Sequence, residues 1–351
     1  MTAPRVTVSL VTYNGLGWLP ACLESLWAQR WAPVEVIIRD NASTDGTAQW
    51  LPGAIAGRPT VRLVLGAQNI GFSRAHNEAI RAATGDCVCL LNQDLILDEA
   101  FLEAALRGFE AEDVGSVQGK LLQLAKGNTK TNIVDSAGLA ISRSRRVVSR
   151  GQGHATASEY VMPEPIFGVD GACPVYRRSA LEAVRQPSAA GGWEYFDEDF
   201  FIYKEDVDLA WRLQLFGWTA LFLPDAVGWH ARGAGDSPTS RPMQIIAHRR
   251  KIANWIKRLS WRNHRLMQLK NEDASEVIRD LPYILWHEIR ALLYLAVFNP
   301  RNIPVLADLV RHAGSARLKR RYVQKHRVRR GISNWLLAPR ASREARPRRD
   351  H

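Results

Sequence analysis

Six carboxylates fall between Asp197 and Asp208, interleaved with Phe200, Phe201 and Tyr203. Aromatic side chains at that density belong in a core, so they draw the acids toward a pocket. A carboxylate held in a pocket can serve as a general base near neutral pH. Glu205, Asp208 and Arg212 share one helical face at i, i+3 and i+7, and Asp206 starts or caps that helix from the other side. A solvated acidic face is the competing reading. Asp94 is the second candidate. It closes an apolar strand-like run, with Asn92 two positions before it. Carboxylate oxygens are the ligands that Mg²⁺ and Mn²⁺ favour, and Mg²⁺ commonly takes only one or two of them from protein. On spacing alone, Asp94 serves equally as a cation ligand or as the cap of the next turn. His230 follows the apolar residues 220–222 and precedes Gly233 and Gly235. That setting suits a metal ligand, although most lone histidines are not ligands.

These residues need elements to position them. Val6 to Thr12 reads as a strand, Trp18 to Gln29 as a helix and Val34 to Ile38 as a second strand. A helix begins within Ala42 to Leu51, a third strand spans Val61 to Leu65, and a helix spans Gly71 to Ala83. A fourth strand covers Cys87 to Leu91. Strands alternating with helices predict a parallel sheet with crossover connections, and ligands of such sheets bind at the carboxyl ends of the strands. Asp40 and Asp94 both fall at such ends. No G-x-G-x-x-G follows the first strand and no G-x-x-x-x-G-K-[ST] occurs, so the dinucleotide and P-loop classes lose their main support. Residues 120–165 read as strands and loops. A helical pattern resumes after Pro242, with Trp255, Ile256, Leu259 and Trp261 on one run, and a second apolar run spans Val277 to Phe298.

The composition is that of a globular protein, with 46% hydrophobic and 23% charged residues in 351. The first ten residues form a strand pattern rather than a secretory signal, and the run 281–298 is broken by His287, Glu288 and Arg290, which makes it a poor membrane span. Cys22, Cys87, Cys89 and Cys173 lack metal-knuckle spacing and are expected to be reduced and buried. The net charge of +12 is uneven: residues 313–351 hold 13 Arg and Lys against Glu344 and Asp350, or +11. A concentrated basic tail points to a local anionic partner. Nucleic acid is the weaker choice there, because only Tyr322 and Trp335 could stack on bases.

Four segments taken together carry a resemblance. They are residues 8–14 (VSLVTYN), 40–46 (DNASTDG), 69–77 (NIGFSRAHN) and 91–94 (LNQD). The chain thereby resembles glycosyltransferase family 2. More narrowly it resembles the bacterial rhamnosyltransferase branch, through Asp135 to Gly138 (DSAG), Arg150 to Gly153 (RGQG), Gly171 to Arg178 (GACPVYRR) and Phe196 to Arg212 (FDEDFFIYKEDVDLAWR). The similarity covers about residues 5 to 260. It implies a GT-A fold: an α/β domain with a mostly parallel, Rossmann-like central sheet flanked by helices, followed by a C-terminal helical extension. The expected boundaries are 1–240 for the catalytic domain (donor half 1–118, acceptor half 119–240), 241–312 for the extension and 313–351 for a basic, mobile tail.

The resemblance also implies roles. Thr12, Tyr13 and Asn14 would line the nucleotide pocket and Asp40 would bond the pyrimidine. Asn69, Gly71 and Asn77 would shape the nucleoside side. Asp94 would be the last acid of a D-x-D metal motif whose first acid is replaced by Asn92, with His230 as the second protein ligand of a Mg²⁺ or Mn²⁺ ion. Asp206, beside Glu205, would be the catalytic base of an inverting transfer, with Gly171 and Asp199 on the acceptor side. The donor implied is dTDP-rhamnose, with a UDP-hexose or UDP-galactofuranose as the alternative. The acceptor implied is a saccharide or a lipid-linked one, within synthesis of a bacterial cell-surface polysaccharide. A catalytically silent sugar-binding scaffold would be expected to lack Asp94 or Asp206, and both are present. The apolar run and basic tail further suggest a cytoplasmic protein, peripheral on an anionic inner membrane face. A homo-oligomer contact is the alternative use of that surface.

Overall fold

The computed structural model describes residues 4–155, 159–231, 253–298 and 300–337. Gly233, Gly235, the start of the extension after Pro242, and the tail with Pro339 and Pro347 lie outside them.

The first half alternates as its apolar spacing requires: β1 (Val6–Thr12), α1 (Leu19–Trp27), β2 (Glu35–Asp40), α2 (Thr47–Ala54), β3 (Val61–Leu65), α3 (Gly71–Ala82), β4 (Cys87–Asn92) and β5 (Leu95–Leu97). Then come α4 (Phe101–Arg107), β6 (Val114–Ala125), β7 (Thr129–Ser136), β8 (Leu139–Ser142), β9 (Val147–Ser149), β10 (Glu164–Ile166), β11 (Pro174–Arg177) and α5 (Arg178–Val184). The short pair β12 (Gln186–Pro187) and β13 (Trp193–Glu194) leads to α6 (Glu205–Leu215) and β14 (Thr219–His230). The extension follows with α7 (Asn254–Asn271), α8 (Ala274–Phe298), α9 (Val305–His326) and β15 (Leu336–Leu337).

One sheet runs through both halves in the order β10-β14-β6-β11-β4-β1-β2-β3. Strands β3, β2, β1 and β4 are mutually parallel, and β14 is parallel to β6. Between these blocks β11 is antiparallel to both β4 and β6. This is the mixed, mostly parallel sheet of a GT-A fold. Strands β1 and β4 are buried along nearly their whole length, because helices cover both faces of the sheet. One core packs α1 and α4 against Val8, Leu10, Cys89 and Val175. The other packs Ile80, Leu181 and Leu213 against Val88, Leu90 and Phe222. All four cysteines are free and buried.

The extension is welded to the catalytic body. A third core joins Phe200, Val207 and Trp211 to Leu266 and Met267 of α7 and to Ala316 and Val323 of α9. The structure corrects the expected boundary at residue 313, since α9 runs unbroken from Val305 to His326. The side chain of Lys319 is buried inside the protein, so the basic segment 313–337 is built into the fold. The turn at Pro300–Asn302 ends α8 where the sequence places a break.

Candidate active site

The carboxyl ends of β1, β2 and β4 meet at one edge, and hydrogen bonds stitch them together. Thr12 Oγ1 donates to Gln93 Oε1 at 2.6 Å, and Tyr13 N donates to the same oxygen at 3.0 Å. Asn14, held at φ 51°, receives Thr44 N on Oδ1 while its own N–H donates to Ser43 Oγ. Asp40 is almost fully buried. Its Oδ2 accepts Ser43 N at 3.0 Å, and its Oδ1 has no protein partner. A buried carboxylate oxygen left bare is costly. Tyr13 is exposed beside it, on the rim.

His230 and Asp94, 136 positions apart in sequence, come together. β14 continues past residues 220–222, through a register shift after Leu223, and delivers His230 to the end of β4. His230 Nε2 lies 3.3 Å from Asp94 Oδ1, and Nδ1 lies 2.9 Å from Asp135 Oδ2. Burial pushes the imidazole pKa down, but the Asp135 and Asp94 carboxylates outweigh it and raise the value to about 10. The two carboxylates thus favour the protonated form of the imidazole that lies between them. An oxygen and nitrogen donor pair backed by a carboxylate on the far ring nitrogen fits a divalent cation, which would take the place of that proton.

The acid-rich segment resolves into two groups. Asp208 pairs with Arg212 at 3.1 Å and with Lys270 at 2.8 Å. Asp197 pairs with Lys270 at 2.6 Å and with Lys319, which also reaches Asp199 at 2.8 Å and Glu194 at 2.7 Å. Glu198 meets Arg81 at 2.9 Å. Four of the six acids are thus neutralised by cations, Arg212 serving Asp208 from the same helix. Glu205 and Asp206 have no ion-pair partner among the described residues.

Asp206 Oδ2 accepts Gly171 N at 3.2 Å, and Oδ1 accepts Val207 N at 2.7 Å. A Cβ at Gly171 would stand 3.3 Å from the Asp206 Cβ, so glycine keeps that wall thin. Burial, then the charge of Asp170, push the Asp206 carboxyl above the usual carboxylate range. Glu205 is pushed well above its ordinary value by burial and then by Asp206, and its Oε2 is buried without a partner. Asp206 is joined to the end of β4 by two steps of backbone: Gly171 N donates to Asp206 Oδ2, and the carbonyl of the next residue, Ala172 O, accepts Asn92 N at 3.0 Å.

Other expected residues lie elsewhere. Asn77 does not shape a nucleoside pocket. It is wholly buried, and its amide is saturated by Phe196 O, Glu198 Oε1 and the N–H groups of Tyr195 and Phe196. It clamps the loop before the acid-rich segment. The carboxylate of Asp199 is occupied by Ser315 and Lys319 rather than directed to an acceptor. Asn69 Oδ1 accepts Gly71 N at 2.9 Å. Gly71, at φ 82°, is closely approached by Phe201, not by open cleft. A cleft of about 330 Å³ opens beside Asn69, Arg74, Glu194 and Phe201. Neither Asp94 nor Asp206 lines it. Arg177 and Arg178 bind backbone carbonyls of residues 109, 111, 114 and 83 and are structural. Gln93, Asp135 and Asp170 gain roles that spacing did not give them. Asp135 stood in a noted motif and Asp170 beside Gly171, but neither contact is local.

The model of the family described as glycosyl transferase family 2 matches residues 7–185. A Mycobacterium tuberculosis N-acetylglucosaminyl-diphospho-decaprenol L-rhamnosyltransferase is 29% identical over 270 residues, covering 69% of this chain and 80% of that protein. An N-acetylglucosaminyltransferase of Rhizobium sp. strain N33 is 26% identical over 229 residues, 64% of this chain and 48% of its own length. Among solved structures, GalNAc-T7 with UDP, GalNAc and Mn²⁺ superposes with a TM-score of 0.59 at 13% identity, over 92% of this chain and 56% of that one. Residues 1–349 of Staphylococcus aureus TarS with UDP give 0.52 at 17% identity, over 92% and 90%. At these identities the structures speak for the fold alone.

Proposed function

The chain belongs to glycosyltransferase family 2, and from that premise we propose an inverting, cation-dependent transfer of a sugar from a nucleotide donor. We take L-rhamnose from dTDP-rhamnose as the donor reading and a saccharide or polyprenyl-diphosphate-linked acceptor, within bacterial cell-surface polysaccharide synthesis. The observation that supports the mechanism is the hydrogen-bonded path that links Asp206, Gly171, Ala172 and Asn92 in series, two residues from Asp94. The rhamnosyl reading draws on the decaprenol rhamnosyltransferase relative, whose match extends well beyond a single motif.

In this reading Asp40 accepts a hydrogen bond from the base with its bare Oδ1, and Thr12 to Asn14 form the floor. Asp94 and His230 would hold the cation, Mg²⁺ or Mn²⁺, which would supply charge compensation for a diphosphate leaving group. Asp206 takes the proton of the acceptor hydroxyl as that oxygen attacks the anomeric carbon from the opposite face. One displacement inverts the centre and needs no covalent enzyme intermediate.

We further propose that α8 rests on a membrane surface. Ile278, Leu285, Trp286, Leu293 and Val297 are exposed along it. No single helix among the described residues is long and apolar enough to cross a bilayer. An interfacial helix beside a basic tail suits anionic lipid and would bring a lipid-linked acceptor to the cleft.

The deciding experiment is a donor panel read by nucleotide release, with and without Mn²⁺ or Mg²⁺. Turnover of dTDP-rhamnose that stops on chelation is expected. Turnover of a UDP-hexose or UDP-galactofuranose instead would replace the donor reading, and undiminished turnover in chelator would remove the cation.

A further inference from the structure

The turn that leads into Asp206 is wound against its own preference. Phe201, Tyr203 and Lys204 have φ of 64°, 73° and 74°. Such conformations cost roughly 1–3 kcal/mol each for side chains with a Cβ, and they persist only where surroundings over-determine them. Ile202 N donates to Phe200 O at 2.7 Å across Phe201, which makes a γ-turn of the rare positive-φ hand.

The carbonyls show what holds it. Phe201 O accepts Phe72 N at 2.7 Å and Ser73 N at 3.2 Å, at the start of α3. Lys204 O accepts Asp208 N inside α6. The other four point to α7. Asp199 O accepts Arg262 Nη2. Phe200 O, Ile202 O and Tyr203 O accept from one nitrogen, Asn263 Nδ2, at 2.9, 3.0 and 2.8 Å. An amide has two such hydrogens, so three carbonyls share them. Asn263 is fully buried, and its Oδ1 accepts Arg262 Nε at 3.0 Å, which fixes the amide's orientation. A three-carbonyl convergence on a buried amide is not packing by default: it closes only if the turn is wound this way.

We propose that Asn263 is a positioning residue for the general base, and that the C-terminal extension thereby forms part of the catalytic machinery. The proposal rests on the reading of Asp206 as the base. The physical reason is helix phase. Asp206 is the second residue of α6, and successive side chains around a helix differ by about 100°. Where the helix starts therefore decides whether the Asp206 carboxylate meets Gly171 N and the cleft or turns away. The turn sets that start, and Asn263 sets the turn. Arg262 and Asn263 lie outside the family-matched residues 7–185, so the clamp is a contribution of the extension.

The test uses the full chain with the donor that the panel identifies, and it compares Asn263→Ala, Arg262→Gln and Asp206→Asn. Asn263→Ala is expected to lower kcat about a hundredfold, the scale of a 1 Å misplacement of a reacting group. Its nucleotide affinity, measured by calorimetry, should stay within about twofold, since Asp40 and Thr12 are untouched. The acid limb of its kcat–pH profile should also move, because the burial that raises the Asp206 pKa changes with the turn. Arg262→Gln, which frees the amide without removing it, should show the same pattern more mildly and serves if Asn263→Ala does not fold. Unchanged kcat and pH profile in a folded variant would overturn the proposal. So would a parallel loss of nucleotide affinity and kcat, which marks a general structural role. Full activity of Asp206→Asn would instead overturn the base assignment, whatever the Asn263 variants do.

Discussion

Asp206 differs from its acidic neighbours in what surrounds it. Asp197, Asp199 and Asp208 sit against lysines and arginine in short ion pairs. Asp206 has backbone N–H groups and another acid, Asp170, which pushes its carboxyl up after burial has done so. A base with a raised pKa binds a proton more strongly, so it is better matched to a poor acid such as an alcohol. Asp206→Asn should lower kcat by about 10²–10⁴-fold, with nucleotide affinity near normal by calorimetry; an equal fall in affinity would take Asp206 out of the base role. Asp170→Asn keeps an acceptor for Ala172 N while deleting a charge. The ionised form of Asp206 is then favoured, its pKa falls, and the acid limb of the kcat–pH profile should move to lower pH. A fixed limb would mean Asp170 does not reach it. At the other end, the Asp135 and Asp94 carboxylates raise the His230 pKa to about 10 against the pull of burial. A cation held by Asp94 and His230 as proposed would displace that proton, so Mn²⁺ should then release close to one proton per ion at neutral pH and bind more tightly as pH rises. Calorimetry in buffers of different ionisation enthalpy reads this directly. Zero release would place the ion elsewhere.

At the level of elements, α6 is the piece that everything else grips. Its first turn faces the cleft, while Trp211, Asp208 and Arg212 face inward. Two lysines from the extension, Lys270 on α7 and Lys319 on α9, enter beside the acids on its inner side. Buried ions of one sign demand the other. Lys319→Met would leave Glu194, Asp197 and Asp199 short of a cation, and removal of one partner of a buried pair typically costs about 3–5 kcal/mol. Glu194, already raised to about 7 by burial and Asp197, would take up a proton more readily without Lys319. The variant's loss of stability in urea should therefore shrink below that pH. A change under about 1 kcal/mol at neutral pH would show that the cluster is solvated.

For the whole molecule, the open question is what covers α8. Trp286 and Val297 are roughly two-thirds exposed, more apolar surface than water contact favours. Sedimentation with vesicles containing anionic lipid should carry the protein down, and Trp286→Asp with Leu285→Asp should weaken that binding about tenfold or more, since burying one such side chain contributes about 1.5–3 kcal/mol. A chain cut after Leu337 keeps α9 intact and isolates the contribution of the last residues. Binding unaffected by the α8 pair would leave the basic segment as the sole contact. Concentration-dependent self-association without vesicle binding would make the face a contact between copies of the chain.

Local pattern determined much of this protein. The strand from Val6 to Thr12, the helix from Gly71 and the strand from Cys87 follow from apolar periodicity, which acts within a few residues. The short motifs also carried Asp40, Asp94, Asp206 and His230 as candidates, because their residue types suit base, cation and proton chemistry. Only the tertiary structure decided which acids were left without a cation among the described residues. The sorting of six carboxylates depends on Lys270 and Lys319, more than sixty positions away, and nothing near Asp197 in sequence announces them. The same holds for Asp135 behind His230 and for Asn263 under the strained turn, while Asn77 and Asp199 were spent on internal contacts. Electrostatic pairing and hydrogen-bond saturation act across space, so the role of a polar residue is set by whichever chain segment the fold brings against it.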